Sequence, residues 1–148
     1  MAQITPSSGN DWLVLVHTAT TLFMLGVIWF VQIVHYPLFQ HVGENGFAGY
    51  ERQHTRRTGW VVAPAMLAEL ASAVLLAWRM GGVLAWGGLA VLGLIWVSTG
   101  VWQVPAHRRL DGGFDVATHR RLVNTNWVRT VAWSARAVIA LALLAGFG

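Results

Sequence analysis

The sequence predicts an all-α integral membrane protein: a four-helix up-down transmembrane bundle that forms one domain over residues 1–148. Of its residues 55% are hydrophobic and 11% are charged, and its mean hydropathy is +0.53. Soluble domains usually carry about 25% charged residues. Four apolar runs are also long enough to cross a bilayer, and polar or proline-containing stretches separate them. These observations favour a small multi-pass membrane protein.

Four spans are predicted, in chain order, over about residues 12–36, 60–78, 83–104 and 127–147. Pro37 is expected to end the first span and Pro105 the third, because proline cannot donate a helical hydrogen bond. Between spans one and two, Phe47, Tyr50 and His54 recur at helical spacing. This spacing predicts a short interfacial helix, which can merge into the second span. Short loops make neighbouring helices antiparallel.

The arginines predict an orientation. The connections after spans one and three are rich in arginine, whereas the opposite side has only Arg79. The arginines of the two connections are Arg52, Arg56, Arg57, Arg108, Arg109, Arg120 and Arg121. The positive-inside rule places these connections in the cytoplasm and both termini outside. The expected partner of these arginines is the lipid bilayer, and no nucleic-acid partner is expected.

Histidines at the predicted cytoplasmic ends of the spans form a candidate metal site. The predicted ligands are His35, Glu51, His54, His107 and His119. Glu51 and His54 have the Glu-x-x-His spacing by which di-iron bundle proteins present two ligands from one helix. Imidazole and carboxylate suit iron or copper, and zinc is also possible. The alternative is that interfacial histidines gather at one end of the bundle without binding an ion.

Three amide side chains lie near these histidines and are predicted to contact a cofactor or ligand. Gln32 is one helical turn from His35, and Gln103 is one turn from His107 if the helix continues past Pro105. The third, Asn126, shares one helical face with the arginines of span four.

Glu69 and Arg136 are predicted to pair inside the membrane. Each lies nine residues inside the tryptophan that opens its span, at a depth of ~13 Å. An isolated charge at such a depth costs at least ~2.5–3.5 kcal/mol, so pairing is expected. Together with Arg129, the two residues are predicted to line a polar pocket and to act in catalysis. The alternative is a purely structural ion pair that sets the helix register.

Several short motifs carry a resemblance to known membrane proteins. They are Pro105–His107, Leu110, Leu122, Asn126–Trp127, Arg129–Thr130, Trp133, Arg136 and the HYPLF segment from His35 to Phe39. The chain resembles small four-span bacterial membrane proteins and, more distantly, is similar to the anthrone oxygenase-like family. The resemblance implies a four-helix membrane protein that oxidises a polycyclic phenolic or similar lipophilic substrate with oxygen.

Two classes of function therefore compete. The first is a membrane oxidoreductase or oxygenase that acts on a lipophilic small molecule at a His/Glu metal or polar ligand site. In this hypothesis Arg129 and Arg136 hold the substrate or stabilise developing negative charge. The alternative is a non-enzymatic protein: an assembly partner, or a small transporter or channel, which would require a homo-oligomer. A b-type haem protein is a further, less favoured alternative. A polar stripe that continued to the outer leaflet would favour transport.

Overall fold

Four long helices make up the computed structural model, which describes residues 9–146. They cover residues 9–41 (α1), Glu44–Met80 (α2), Gly82–Leu110 (α3) and Val116–Ala145 (α4). Helix accounts for 93% of the structure, and the described part contains no strand. Each long helix is apolar enough to cross a membrane, so the all-α class and the four span-length helices are confirmed. The predicted end of span four at Phe147 lies outside the described residues.

The prediction that Pro37 ends the first helix is wrong. α1 is α-helical over Gly9–Phe30 and then makes a π-turn over Val31–His35. The N–H of Tyr36, the residue before the proline, donates to the carbonyl oxygen of Val31, five residues back. The π-turn accommodates the ring that lacks an N–H, so the helix continues to His41.

Pro105 behaves in the same way in α3. The helix makes a π-turn over Thr99–Gln103, where the N–H of Val104 donates to the Thr99 carbonyl. It then continues as α-helix over Val104–Leu110. As a result, His35, just before Pro37, and His107, just after Pro105, both lie on a helix rather than on a loop.

The predicted interfacial helix has no separate existence, because it forms the first turns of α2. This helix runs without a break from Glu44 through Pro64 to Met80. Gly43 and Gly81 flank it with φ angles of 77° and 63°, a backbone that favours glycine. Glu51 and His54 therefore lie on one face of a continuous helix.

Asp115 begins α4 as its N-cap. The Thr118 backbone N–H donates to Oδ1 of Asp115 at 2.7 Å. Hydrogen bonding by Thr118 lowers the pKa of the Asp115 carboxyl below its ordinary value. This cap turns the chain from the end of α3 into α4, which carries the second half of the polar interior.

The interior contains two apolar clusters. α1 contacts α2 and α4, and α3 closes the arrangement against the same two helices. The middle layer includes Met24, Ile28, Leu92, Ile95 and Trp133. The end layer includes Tyr36, Phe39, Phe47, Leu110 and Leu122. Polar groups lie on both sides of the middle layer.

Candidate functional site

Imidazole rings from three helices meet in the end layer. His35 Nε2 on α1 lies 2.7 Å from His54 Nδ1 on α2. The ring centroids of His54 and of His107, on α3, are 5.4 Å apart. His54 Nδ1 also lies 3.1 Å from the Thr58 hydroxyl, one turn along α2. A proton taken by either His35 or His54 can be shared with the other across their hydrogen bond.

Glu51 is the acidic member of this group. Its side chain is fully buried, and its Oε1 forms a short hydrogen bond with His107 Nδ1. Its Oε2 is buried and has no hydrogen-bond partner among the described residues. A buried carboxylate oxygen without a partner is costly. A hydrogen-bond donor or a bound cation would satisfy this oxygen.

Tyr36 is the functional candidate that the sequence argument missed. Because His107 Nδ1 faces Glu51, its Nε2 can accept from the Tyr36 hydroxyl at 2.9 Å. The Arg129 guanidinium is near enough to this hydroxyl to act on it electrostatically, while its Nη1 donates to Asn126. The buried hydrogen bonds thus run from Glu51 to His107 and from His107 to Tyr36. The one sequence signal was the place of Tyr36 in the HYPLF segment, since its inward direction depends on the π-turn.

The predicted metal ligands are brought together only in part. Among the residues that the structure describes, no three His, Asp or Glu side chains are arranged to hold one ion. His119 lies beside the cluster, but its Nε2 donates to the Tyr36 carbonyl at 2.8 Å. His107 uses both ring nitrogens, on Glu51 and on Tyr36, whereas His35 Nε2 and His54 Nδ1 contact each other. A metal ion would have to replace some of these hydrogen bonds, and metal binding stays a prediction.

A cleft of about 910 Å³ opens beside the His35–His54 pair, between α1 and α2. Its walls are mostly apolar and include Phe23, Gly26, Phe30 and Val61. One end is polar and is formed by His35, Tyr50, Gln53, His54, Arg57 and Thr58. The cleft therefore has room for an apolar body with one polar head.

The predicted amide contacts lie just inside this end. Asn126 Nδ2 donates to Gln32 Oε1 at 2.9 Å, and Arg129 Nη1 donates to Asn126 Oδ1 at 3.1 Å. Gln103 belongs elsewhere, since its Nε2 donates to the Thr125 hydroxyl at 3.2 Å. Arg129 Nε has no partner among the described residues. Gln32 and Asn126 hold Arg129 in place, and neither lines the cleft.

The predicted pairing of Glu69 with Arg136 is confirmed. Arg136 Nε donates to Glu69 Oε1 at 2.8 Å, and both side chains are buried. The pair is not part of the polar pocket in which it was predicted, because the middle apolar layer separates it from the imidazole cluster. Along α2, Glu69 is five helical turns from Glu51, or roughly 27 Å. This geometry therefore disfavours a direct catalytic role for Glu69 and Arg136 at the imidazole cluster.

Comparison of the chain with known protein families, with curated proteins and with solved structures finds no match. The function of the protein therefore rests on the geometry of its own residues.

Proposed function

We propose that the four helices cross a bacterial inner membrane as an up-down bundle, with both termini outside and the arginine-rich connections in the cytoplasm. The outward-facing side chains support insertion, since Val83 is 89% exposed, Val138 68% and Val131 63%. Such a surface is stable in lipid and unusual in water. The arginine distribution supports the orientation. The imidazole cluster then lies at the cytoplasmic end.

We propose further that the protein is a membrane oxidoreductase that acts on a lipophilic molecule bound in the cleft. One observation carries this proposal: the apolar cleft ends at the His35–His54 pair. Small-molecule sites are typically clefts of about 300–1,000 Å³ with few polar groups. A lateral opening towards the lipid would admit such a molecule from the bilayer. The resemblance to anthrone oxygenase-like proteins adds the expected reaction, oxidation by oxygen.

The imidazole pair supplies the base that this oxidation needs. Histidine removes a proton from an acidic CH₂ group of the substrate and shares it across the His35–His54 hydrogen bond. The carbanion left behind adds O₂, the proton returns to the peroxide, and loss of water leaves a carbonyl. Overall, R₂CH₂ and O₂ give R₂C=O and H₂O, so atoms and electrons balance.

Blocking the cleft tests the binding step. Gly26 lines the cleft, and a Cβ there would meet nothing within 4 Å, so we expect Gly26→Leu to fill the cleft and leave the backbone of α1 unchanged. Gly93→Leu is the matched control, because Gly93 is equally open but lies on α3, away from the cleft. We expect anthrone to bind the wild type and Gly93→Leu in nanodiscs, and to bind Gly26→Leu at least tenfold more weakly. Equal binding to all three proteins would refute the proposed site.

Oxygen uptake tests the reaction step with the same probe. We expect one O₂ consumed per anthrone, and a rate that falls about a hundredfold in His54→Ala. His41→Ala is the control, because His41 is exposed and does not line the cleft. Uptake no faster than with empty nanodiscs, despite normal binding, would leave a binding protein and reject the oxidoreductase.

A transition metal is the second candidate, and the buried, unpaired Oε2 of Glu51 favours it. His107 contacts this carboxylate and His54 lies beside His107, so His35, His54 and His107 would become further ligands only after their side chains rearrange. Iron or copper would supply electron exchange with oxygen. Elemental analysis of untagged protein tests this. Metal near one equivalent, lost in Glu51→Gln but retained in His41→Ala, would support a metal centre, whereas background metal in the wild type would reject it.

A further inference from the structure

The polar end of the cleft has an uneven charge. Arg57 is the one permanently charged side chain among the described residues that line it, and no Asp or Glu lines it. Glu51 is close by but belongs to His107 on the buried side. A cationic head group would therefore meet a guanidinium and find no carboxylate. The charge balance favours an acceptor or an anion.

The hydrogen-bond donors at the polar end of the cleft also favour an acceptor or an anion as the head group. His54 Nδ1 faces both His35 Nε2 and the Thr58 hydroxyl, so Nε2 is the His54 ring nitrogen left for a ligand, and it carries the proton whenever Nδ1 accepts from either group. Arg57 has several N–H donors and no acceptor. It makes no hydrogen bond or ion pair with any residue that the structure describes. The end of the cleft thus offers donors that lack partners.

Comparison with the neighbouring Arg56 shows that unpartnered N–H donors facing the cleft are specific to Arg57 and not general to the arginines of this helix. Its guanidinium lies 5.5 Å from the centre of the Trp60 ring, an occupied cation–π contact. Arg56 lines a separate depression with Gly49, Arg52 and Gln53. Arg56 and Arg57 therefore carry the same charge on the same helix, and one of them faces the cleft.

We infer that the cleft takes a lipophilic acid, whose anionic head lies between Arg57 and His54 and whose apolar body lies along α1 and α2. This inference rests on the proposed binding site and names its ligand class: carboxylates, phenolates or enolates. Arg57 is then the specificity-determining residue. It also stabilises the anion that remains once the imidazole pair has taken a proton from the substrate.

Probes that share one tail and differ in the charge of the head test the inference. Decanoate, decanol and decyltrimethylammonium are titrated into protein in phosphatidylcholine nanodiscs, with empty nanodiscs subtracted. We expect decanoate to bind best and decyltrimethylammonium worst. In Arg57→Gln the decanoate affinity should fall about fivefold, as expected for a partly exposed ion pair, with decanol unchanged. Arg56→Gln should bind all three probes as the wild type does.

The other outcomes distinguish failure of the ligand class from failure of the binding site. Equal affinities for decanoate and decyltrimethylammonium, or equal losses in Arg56→Gln and Arg57→Gln, would overturn the inference while leaving the cleft as a binding site. Failure of all three probes, with no difference between wild type and Gly26→Leu, would overturn the proposed site as well. Repetition in phosphatidylglycerol nanodiscs separates the remaining case. A decanoate affinity that is lower in phosphatidylglycerol than in phosphatidylcholine for the wild type, but equal in the two lipids for Arg57→Gln, would identify an anionic lipid headgroup as the occupant and overturn the free acid.

Discussion

At the scale of single residues, the Glu69 carboxylate connects all four helices. Thr21 on α1 donates to its Oε1 at 3.0 Å, and Trp133 on α4 donates to its Oε2 at 3.1 Å. Arg136, also on α4, donates to Oε1 and makes a short hydrogen bond to the Gly88 carbonyl on α3. Three donors thus reach the carboxylate, two at Oε1 and one at Oε2. This arrangement favours a structural role for the pair.

Glu69→Gln should therefore be strongly destabilising. It keeps the shape of the side chain but leaves Arg136 as an uncompensated buried charge, a change that typically costs about 3–5 kcal/mol. The double variant Glu69→Gln/Arg136→Met removes that charge and should recover part of the loss. Unfolding by sodium dodecyl sulfate, followed by circular dichroism, measures both variants. A double variant less stable than Glu69→Gln would show that Arg136 contributes mainly through contacts other than the ion pair.

Residue depth was predictable from the sequence, whereas residue direction was not. Counting inward from Trp60 and Trp127 identified Glu69 and Arg136 as partners, because rise per residue is constant in a helix. The same counting placed His35, His54 and His107 at one end. Tyr36 was missed because one residue of π-turn rotates the following positions around the helix axis.

At the scale of elements, the π-turns explain why the predicted boundaries were too short. A proline is expected to end a helix that keeps α-helical hydrogen bonding throughout, but Pro37 and Pro105 do not end theirs. A bond to the fifth residue back carries each helix past its proline, so that α1 reaches His41 and α3 reaches Leu110. No period of hydrophobic residues in the sequence marks these turns. As a result, the residues before and after both His35 and His107 are helical.

The turn between α2 and α3 should depend on its glycine. Gly81 has φ 63° and ψ −153°, a region that only glycine occupies without strain. Gly81→Ala is therefore expected to destabilise the protein by roughly 1–3 kcal/mol. Gly59→Ala is the matched control: it lies inside α2, where a Cβ meets nothing within 4 Å, so it should be neutral or stabilising. Thermal unfolding in detergent measures both, and equal stabilities would contradict the assigned backbone.

At the scale of the whole molecule, the interior has two polar groups rather than one continuous path. His17 and Ser72 hydrogen-bond at 3.0 Å near Glu69, on the far side of the middle layer from the imidazole cluster. Trp133 spans that layer, with its Nε1 on Glu69 and the Arg129 guanidinium 5.3 Å from its ring. Packed apolar side chains fill the space around it. A single chain in this form favours a one-sided site over a transport pathway.

That one-sided site faces the cytoplasm only if the proposed orientation is correct, and cysteine labelling tests this. The chain has no cysteine, so Met80→Cys and Gly112→Cys each introduce a single thiol. Position 80 lies at the turn between α2 and α3, and position 112 lies between α3 and α4. With intact spheroplasts, a membrane-impermeant maleimide should label Met80→Cys and should label Gly112→Cys only after lysis. Labelling of Gly112→Cys alone before lysis would invert the topology and place the imidazole cluster, with its cleft, on the outer side.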